Sequence, residues 1–94
     1  MNIKDDAALR GLILGKLYEG KDRNRVLVKP EHFSPPIEMR DIKRIGYEFK
    51  ETGLIKRGPT DMGNGIAMCI SVPGQAVWEG RAHTDLDVSG LPPQ

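Results

Sequence analysis

The stretch Pro36-Ile37-Glu38-Met39-Arg40-Asp41-Ile42-Lys43-Arg44-Ile45-Gly46-Tyr47-Glu48-Phe49-Lys50-Glu51-Thr52-Gly53-Leu54-Ile55 decides the fold. Ile42, Ile45, Gly46 and Phe49 recur at the i, i+3, i+4, i+7 spacing of a half-buried helix, and Met39 extends that face one turn upstream. Pro36 sits at or just before the first turn, where a missing N–H costs nothing. Gly53 offers the left-handed residue that ends helices, and Leu54 can fold back onto the last turn. The spacing therefore predicts a helix over 36–52, with Arg40, Asp41, Lys43, Arg44, Tyr47, Glu48, Lys50 and Glu51 left for solvent.

Working outward, 94 residues make one domain with a small core, for which dimerisation or close packing of small residues is a help. The 14 Lys and Arg nearly cancel the 13 Asp and Glu, which argues against a strongly basic nucleic-acid sponge and a membrane-surface peptide. Site-specific DNA binding remains open, because local charge matters more than the total. Cys69 is alone, so no intrachain disulfide can form and a reducing compartment is expected. No apolar run reaches the roughly 18 residues of a membrane span. The start, Met1 to Asp6, lacks a signal-peptide layout. The expected location is the cytoplasm.

Upstream of the central helix, residues 1–4 are expected to fray. Asp5 or Asp6 caps a helix running through Ala7 to Glu19 and stopping at Gly20, with Leu9, Leu12, Ile13 and Leu17 as its buried stripe. Gly11 and Gly15, each costing about 1 kcal/mol against Ala in a helix, join Ala7 and Ala8 in a strip that lets another backbone approach. That strip is either a dimer contact or close packing within the chain. Val26-Leu27-Val28 suits a short strand, Pro30 opens one or two helical turns, and Ser34-Pro35-Pro36 breaks the chain. Downstream, Leu54-Ile55-Lys56-Arg57 reads as a strand and Gly58 to Gly65 as a turn-rich loop with no regular element. Ile66 to Val72 is the returning strand. It puts Ile66, Met68, Ile70 and Val72 on one face and Ala67, Cys69 and Ser71 on the other. Gln75 to Ala82 suits a short last helix. Residues 83–94 hold too few apolar side chains to pack, and predict a tail that is mobile unless held.

The order of elements resembles a winged helix-turn-helix domain, and two junctions sharpen the likeness. Phe49-Lys50-Glu51-Thr52-Gly53-Leu54-Ile55-Lys56-Arg57 resembles the junction in MarR-like and PadR-like regulators where the recognition helix ends in Gly and enters the first wing strand. Ile70-Ser71-Val72-Pro73-Gly74-Gln75-Ala76-Val77-Trp78-Glu79 is similar to their return from the wing into the next helix, with Ser71 where Thr is usual. The resemblance covers residues 6–82 and is closest to small winged-helix proteins of bacteria and phages. It implies an α+β winged helix-turn-helix: a three-helix core, a small antiparallel hairpin wing and a short C-terminal helix. Two departures stand out. The segment before the long helix is short and broken by proline, and the wing tip carries Asp61 instead of a basic residue.

The implied function is a DNA-binding transcriptional regulator, a homodimer that sets two recognition helices about 34 Å apart, one DNA turn. Arg40, Lys43, Arg44, Tyr47 and Lys50 would face the major groove. Lys56 and Arg57 at the wing base, with Arg23 and Arg25, would meet phosphates. From Glu38 to Arg57 six basic residues (Arg40, Lys43, Arg44, Lys50, Lys56, Arg57) stand against four acidic ones (Glu38, Asp41, Glu48, Glu51), a net of +2. The same face also reads as ordinary solvated surface, its arginines relieved by Asp41 and Glu48.

Enzyme signatures are absent. His32 and His83 are far apart, and one Cys gives no familiar metal-ligand spacing. Gly63-Asn64-Gly65 is a hairpin turn sooner than a phosphate cradle. No cofactor is expected. Cys69 reads as an inert, partly buried thiol or a redox sensor, and Trp78 as a core plug or a dimer contact. The alternative class is a protein-interaction module on the same fold, using the Gly/Ala strip, Trp78 and the proline-ended tail.

Overall fold

The structure, a computed structural model, describes residues 5–92. The expectation for 1–4 lies outside them, as do the last two residues of the tail. Seven elements follow in order: α1 (Asp6–Glu19), β1 (Val26–Val28), a 3-10 turn (Pro30–His32), α2 (Met39–Glu51), β2 (Ile55–Asp61), β3 (Ile66–Ile70) and α3 (Val72–Trp78). The fold is α+β, with three helices and a three-stranded antiparallel sheet in the order β1-β3-β2.

α2 starts three residues later than the proline suggested. Glu38 precedes its first turn, and Ile37, just outside, is buried with Ile42, an N-terminal hydrophobic staple that fixes the entry of the chain. Its end is as expected. Gly53 has φ +79°, the Gly53 N–H donates to the Lys50 carbonyl at 3.3 Å, and the Leu54 N–H donates to the Phe49 carbonyl at 2.8 Å. This paired closure turns Leu54 into the core and leads straight into β2.

β2 runs through Gly58-Pro59, where a loop without regular structure was expected. Pairing with β3 overrides the local turn preference, because β3 is buried on both faces and needs a partner on each edge. The accommodation shows as register irregularities between Ile55 and Arg57 and between Arg57 and Thr60. At Gly58, with φ +93°, an added Cβ would collide with the Ala67 carbonyl oxygen. Only Met62–Gly65 extend past the sheet, since Ile66 pairs with Val28 on one side and Asp61 on the other.

Phe49, Ile42, Ile45, Ile13, Leu14, Leu17, Ile66 and Met68 form the centre of the core, all fully buried. In α1 the expected stripe is right at Leu9, Ile13 and Leu17, but Leu14 is buried and Leu12 is 42% exposed. Asp5 supplies the cap, its carboxylate accepting from the Ala7 N–H at 3.0 Å. The small-residue strip is used within the chain. An added Cβ at Gly11 would collide with the Ser89 carbonyl oxygen, and one at Gly15 would lie 2.6 Å from the Trp78 ring. α3 begins at Val72, which is exposed instead of joining the β3 face, and it ends at Trp78. Residues beyond it do not hang free. Leu86 and Leu91 pack on the core, the Ser89 N–H donates to the Ala7 carbonyl at 3.1 Å, and the Arg10 guanidinium donates to the Asp87 carbonyl at 2.9 Å.

Candidate nucleic-acid interface

With Ile42, Ile45, Gly46 and Phe49 turned inward, α2 leaves Arg40, Lys43, Tyr47 and Lys50 within an outward arc of roughly 80°. Gly46 sets how closely this helix lies on β2, because an added Cβ would come within 2.8 Å of the Pro59 ring and 2.9 Å of the Met68 sulfur. β2 therefore runs beside α2, and its exposed Lys56 and Arg57 stand next to the helix's C-terminal half. The seven expected contact residues thus lie on two adjacent elements.

Their charges are less free than the sequence suggested. The Arg40 Nε donates to Glu38 at 2.7 Å. The Lys43 ammonium is 3.9 Å from Asp61 on the hairpin. The Lys50 ammonium donates to the Lys56 carbonyl at 3.1 Å. Tyr47, 53% exposed, points to solvent. The side chains of Lys56 and Arg57 have no hydrogen bond or ion pair among the described residues.

Arg44 departs most from expectation. Its guanidinium donates in bidentate fashion to Asp6 of α1 at 2.8 and 3.0 Å, and to Asp41 at 3.2 Å. One helical turn along, Arg10 of α1 donates in the same way to Glu48 of α2 at 2.9 and 3.0 Å. The two forks form a ladder tying α1 to α2 along the side of the recognition-helix candidate. Arg44 is thereby a brace between helices, and Glu48 pairs with Arg10 instead of relieving Arg40 or Arg44. Hydrogen bonding from Arg44 holds the Asp6 carboxyl below its ordinary value, and the Asp6 contact in turn raises Arg44. Asp6 and Arg10 are contributors that sequence reasoning missed. The signal was an i, i+4 Asp–Arg pair on α1 matched by an i, i+4 Arg–Glu pair on α2, with charges in opposite order.

A second concave surface lies along α1. A groove of about 550 Å³ is lined by Leu12, Lys16, Tyr18, Phe33 and Trp78, with Glu19, His32 and small residues among the rest. Trp78 lies over Gly15 with its ring 6.0 Å from that of Tyr18. Cys69 is buried, its thiol 3.5 Å from the Arg23 carbonyl. Among the described residues, no group of His, Cys, Asp and Glu could hold a metal, and no helix is long and apolar enough to cross a membrane. Comparisons with protein-family models, curated proteins and solved structures each return no significant match.

Proposed function

We propose that this chain is a small winged helix-turn-helix DNA-binding regulator in which α2 enters the major groove and the base of the β2–β3 hairpin meets the backbone. The observation that carries the proposal is the outward set of Arg40, half-exposed Lys43, Tyr47 and Lys50 on α2, whose apolar side is pinned by the core, with the exposed Lys56 and Arg57 on the adjoining β2. The element order, the β1-β3-β2 sheet and the direct passage from α2 through Gly53 into β2 support the same reading. In this reading the Pro30–His32 turn would serve as the first helix of the helix-turn-helix. Because the hairpin barely projects and ends near Asp61, its base, not its tip, does the work. Arg44 is assigned to bracing. A homodimer would bring two α2 helices to successive turns of the duplex.

Fluorescence-anisotropy titration of labelled duplex DNA tests this. Replacing Arg40 or Lys50 with Ala should weaken binding and flatten the plot of log affinity against log salt by about 0.9 for each phosphate no longer neutralised. Tyr47→Ala should change preference among sequences more than the salt slope. Unchanged affinity and slope in all three variants would remove the helix from the interface.

A second reading has one observation of its own, the groove beside α1 with Leu12 exposed at its edge. If the chain is an adaptor that docks a protein partner there, partner capture should be abolished by Trp78→Ala and unaffected by Arg40→Ala.

A further inference from the structure

Much of the positive charge that has no carboxylate partner among the described residues lies off the helix expected to carry it. Arg40, Lys43 and Arg44 each face a carboxylate, whereas Arg23, Arg25 and Arg57 have no hydrogen-bonding or ionic side-chain partner among the described residues. The sheet register explains how two of these come together. Val26 and Val28 of β1 and Ile66, Met68 and Ile70 of β3 turn toward the core, so Leu27, Ala67 and Cys69 lie on the outer face. Carrying the β1 register back by one residue places Arg25 opposite Cys69. On the other edge, strict alternation from the inward Ile55 would turn Arg57 inward as well. The irregularity between Ile55 and Arg57 instead pairs Arg57 with Cys69, and the next one pairs Thr60 with Ala67. Two arginines thus flank the small Cys69 in one cross-strand row, their backbones about 10 Å apart.

Between them opens a groove of about 370 Å³ lined by Asn24, Arg25, Arg57, Gly58, Thr60 and the β3 backbone near Ala67. Its floor is low because Ala67 and Gly58 contribute almost no side chain. Its Arg25 wall is held in place. The turn before β1 is closed by the Arg23 N–H donating to the Gly20 carbonyl at 2.9 Å, and the Cys69 thiol lies against the Arg23 carbonyl. No carboxylate lines the groove. Two arginines, a threonine and an asparagine line a space that no carboxylate lines, a composition that fits an oxyanion with several acceptor oxygens.

We propose that the groove between Arg25 and Arg57 is a phosphate-binding site on the outer face of the sheet, separate from the exposed stripe of α2. The phosphate is either one of the DNA backbone, in which case the site rests on the function proposed above, or a free phosphate. Two arms separate them. In the first, the arginine Nε–Hε resonances of the full-length, ¹⁵N-labelled chain are followed during titration with inorganic phosphate, with sodium chloride at matched ionic strength as control. Arg25 and Arg57 should shift saturably with phosphate alone, and the Arg25→Gln/Arg57→Gln variant should lose the response at the Asn24 and Gly58 amides. No saturable shift, or the same shift at Arg23, Arg40 and Arg81, overturns the site.

In the second arm, duplex affinity of the same variant is measured across salt concentrations. A slope flatter by about 1.8, the equivalent of two neutralised phosphates, makes the DNA backbone the source. An unchanged slope, with the phosphate response intact in the wild type, makes free phosphate the source. If the wild-type chain binds no duplex, the proposed function falls, while the phosphate titration still decides the groove.

Discussion

Ser71 joins two backbone ends with one hydroxyl. It accepts from the Gly74 N–H at 3.0 Å as the cap of α3, and it donates to the Gly53 carbonyl just past the end of α2. Because Ser71 and Gly74 are both buried, the Gly74 N–H has no water to turn to in its place. Ser71→Ala should therefore cost about 1–2 kcal/mol in urea denaturation, whereas Ser71→Thr should keep most of that; equal destabilisation by the two would show that the hydroxyl is not what matters. Arg44 and Asp6 make the other residue-scale case. Because Asp6 is held below its ordinary carboxyl value by Arg44, its contribution is present above about pH 4 and is lost as the pH falls through its folded value. The stability advantage of the wild type over Asp6→Asn should be present at neutral pH and shrink on acidification. Arg44→Ala should match Asp6→Asn, with the double variant little worse than either. A pH-independent difference would mean the pair is not the cause.

At the scale of elements, what was legible in the sequence is what is local. The α2 stripe and its glycine closure are encoded within a few residues, and both fall where the spacing put them. The misplacements follow from contacts made far along the chain. β2 survives Gly58-Pro59 because β3 pairs with it, and the swap of Leu12 for Leu14 depends on how α1 is turned toward the sheet. Arg44 looked free because its partner lies 38 positions away. The seat of the tail was not legible for the same reason, since Gly11 makes room for Ser89. Gly11→Ala tests that relation. The substitution favours the helix by about 1 kcal/mol, yet its Cβ takes the space of the Ser89 carbonyl. The tail should then detach, with faster amide exchange at Ser89 and earlier proteolysis after Arg81. Unchanged exchange would mean that Gly11 does not seat the tail.

For the whole molecule, charge is arranged more tellingly than it is counted. A net of +1 conceals one flank where arginines are locked to carboxylates between α1 and α2, and a sheet face where they stand unpaired. The first arrangement fixes the angle of α2 on the body. The second leaves cationic surface on the outer face of the sheet, apart from the exposed stripe of α2. This division of labour is invisible in a linear tally, because it depends on which cations the fold pairs.

Chemical-shift mapping of the ¹⁵N-labelled chain during titration with a duplex tests the central claim most directly, since it reports where binding occurs as well as whether it does. The account predicts shifts concentrated at Arg40, Lys43, Tyr47, Lys50, Lys56 and Arg57, all reversed by raising the salt from about 50 to about 200 mM. A spectrum that does not change, or changes confined to Leu12, Phe33 and Trp78 along α1, would contradict it.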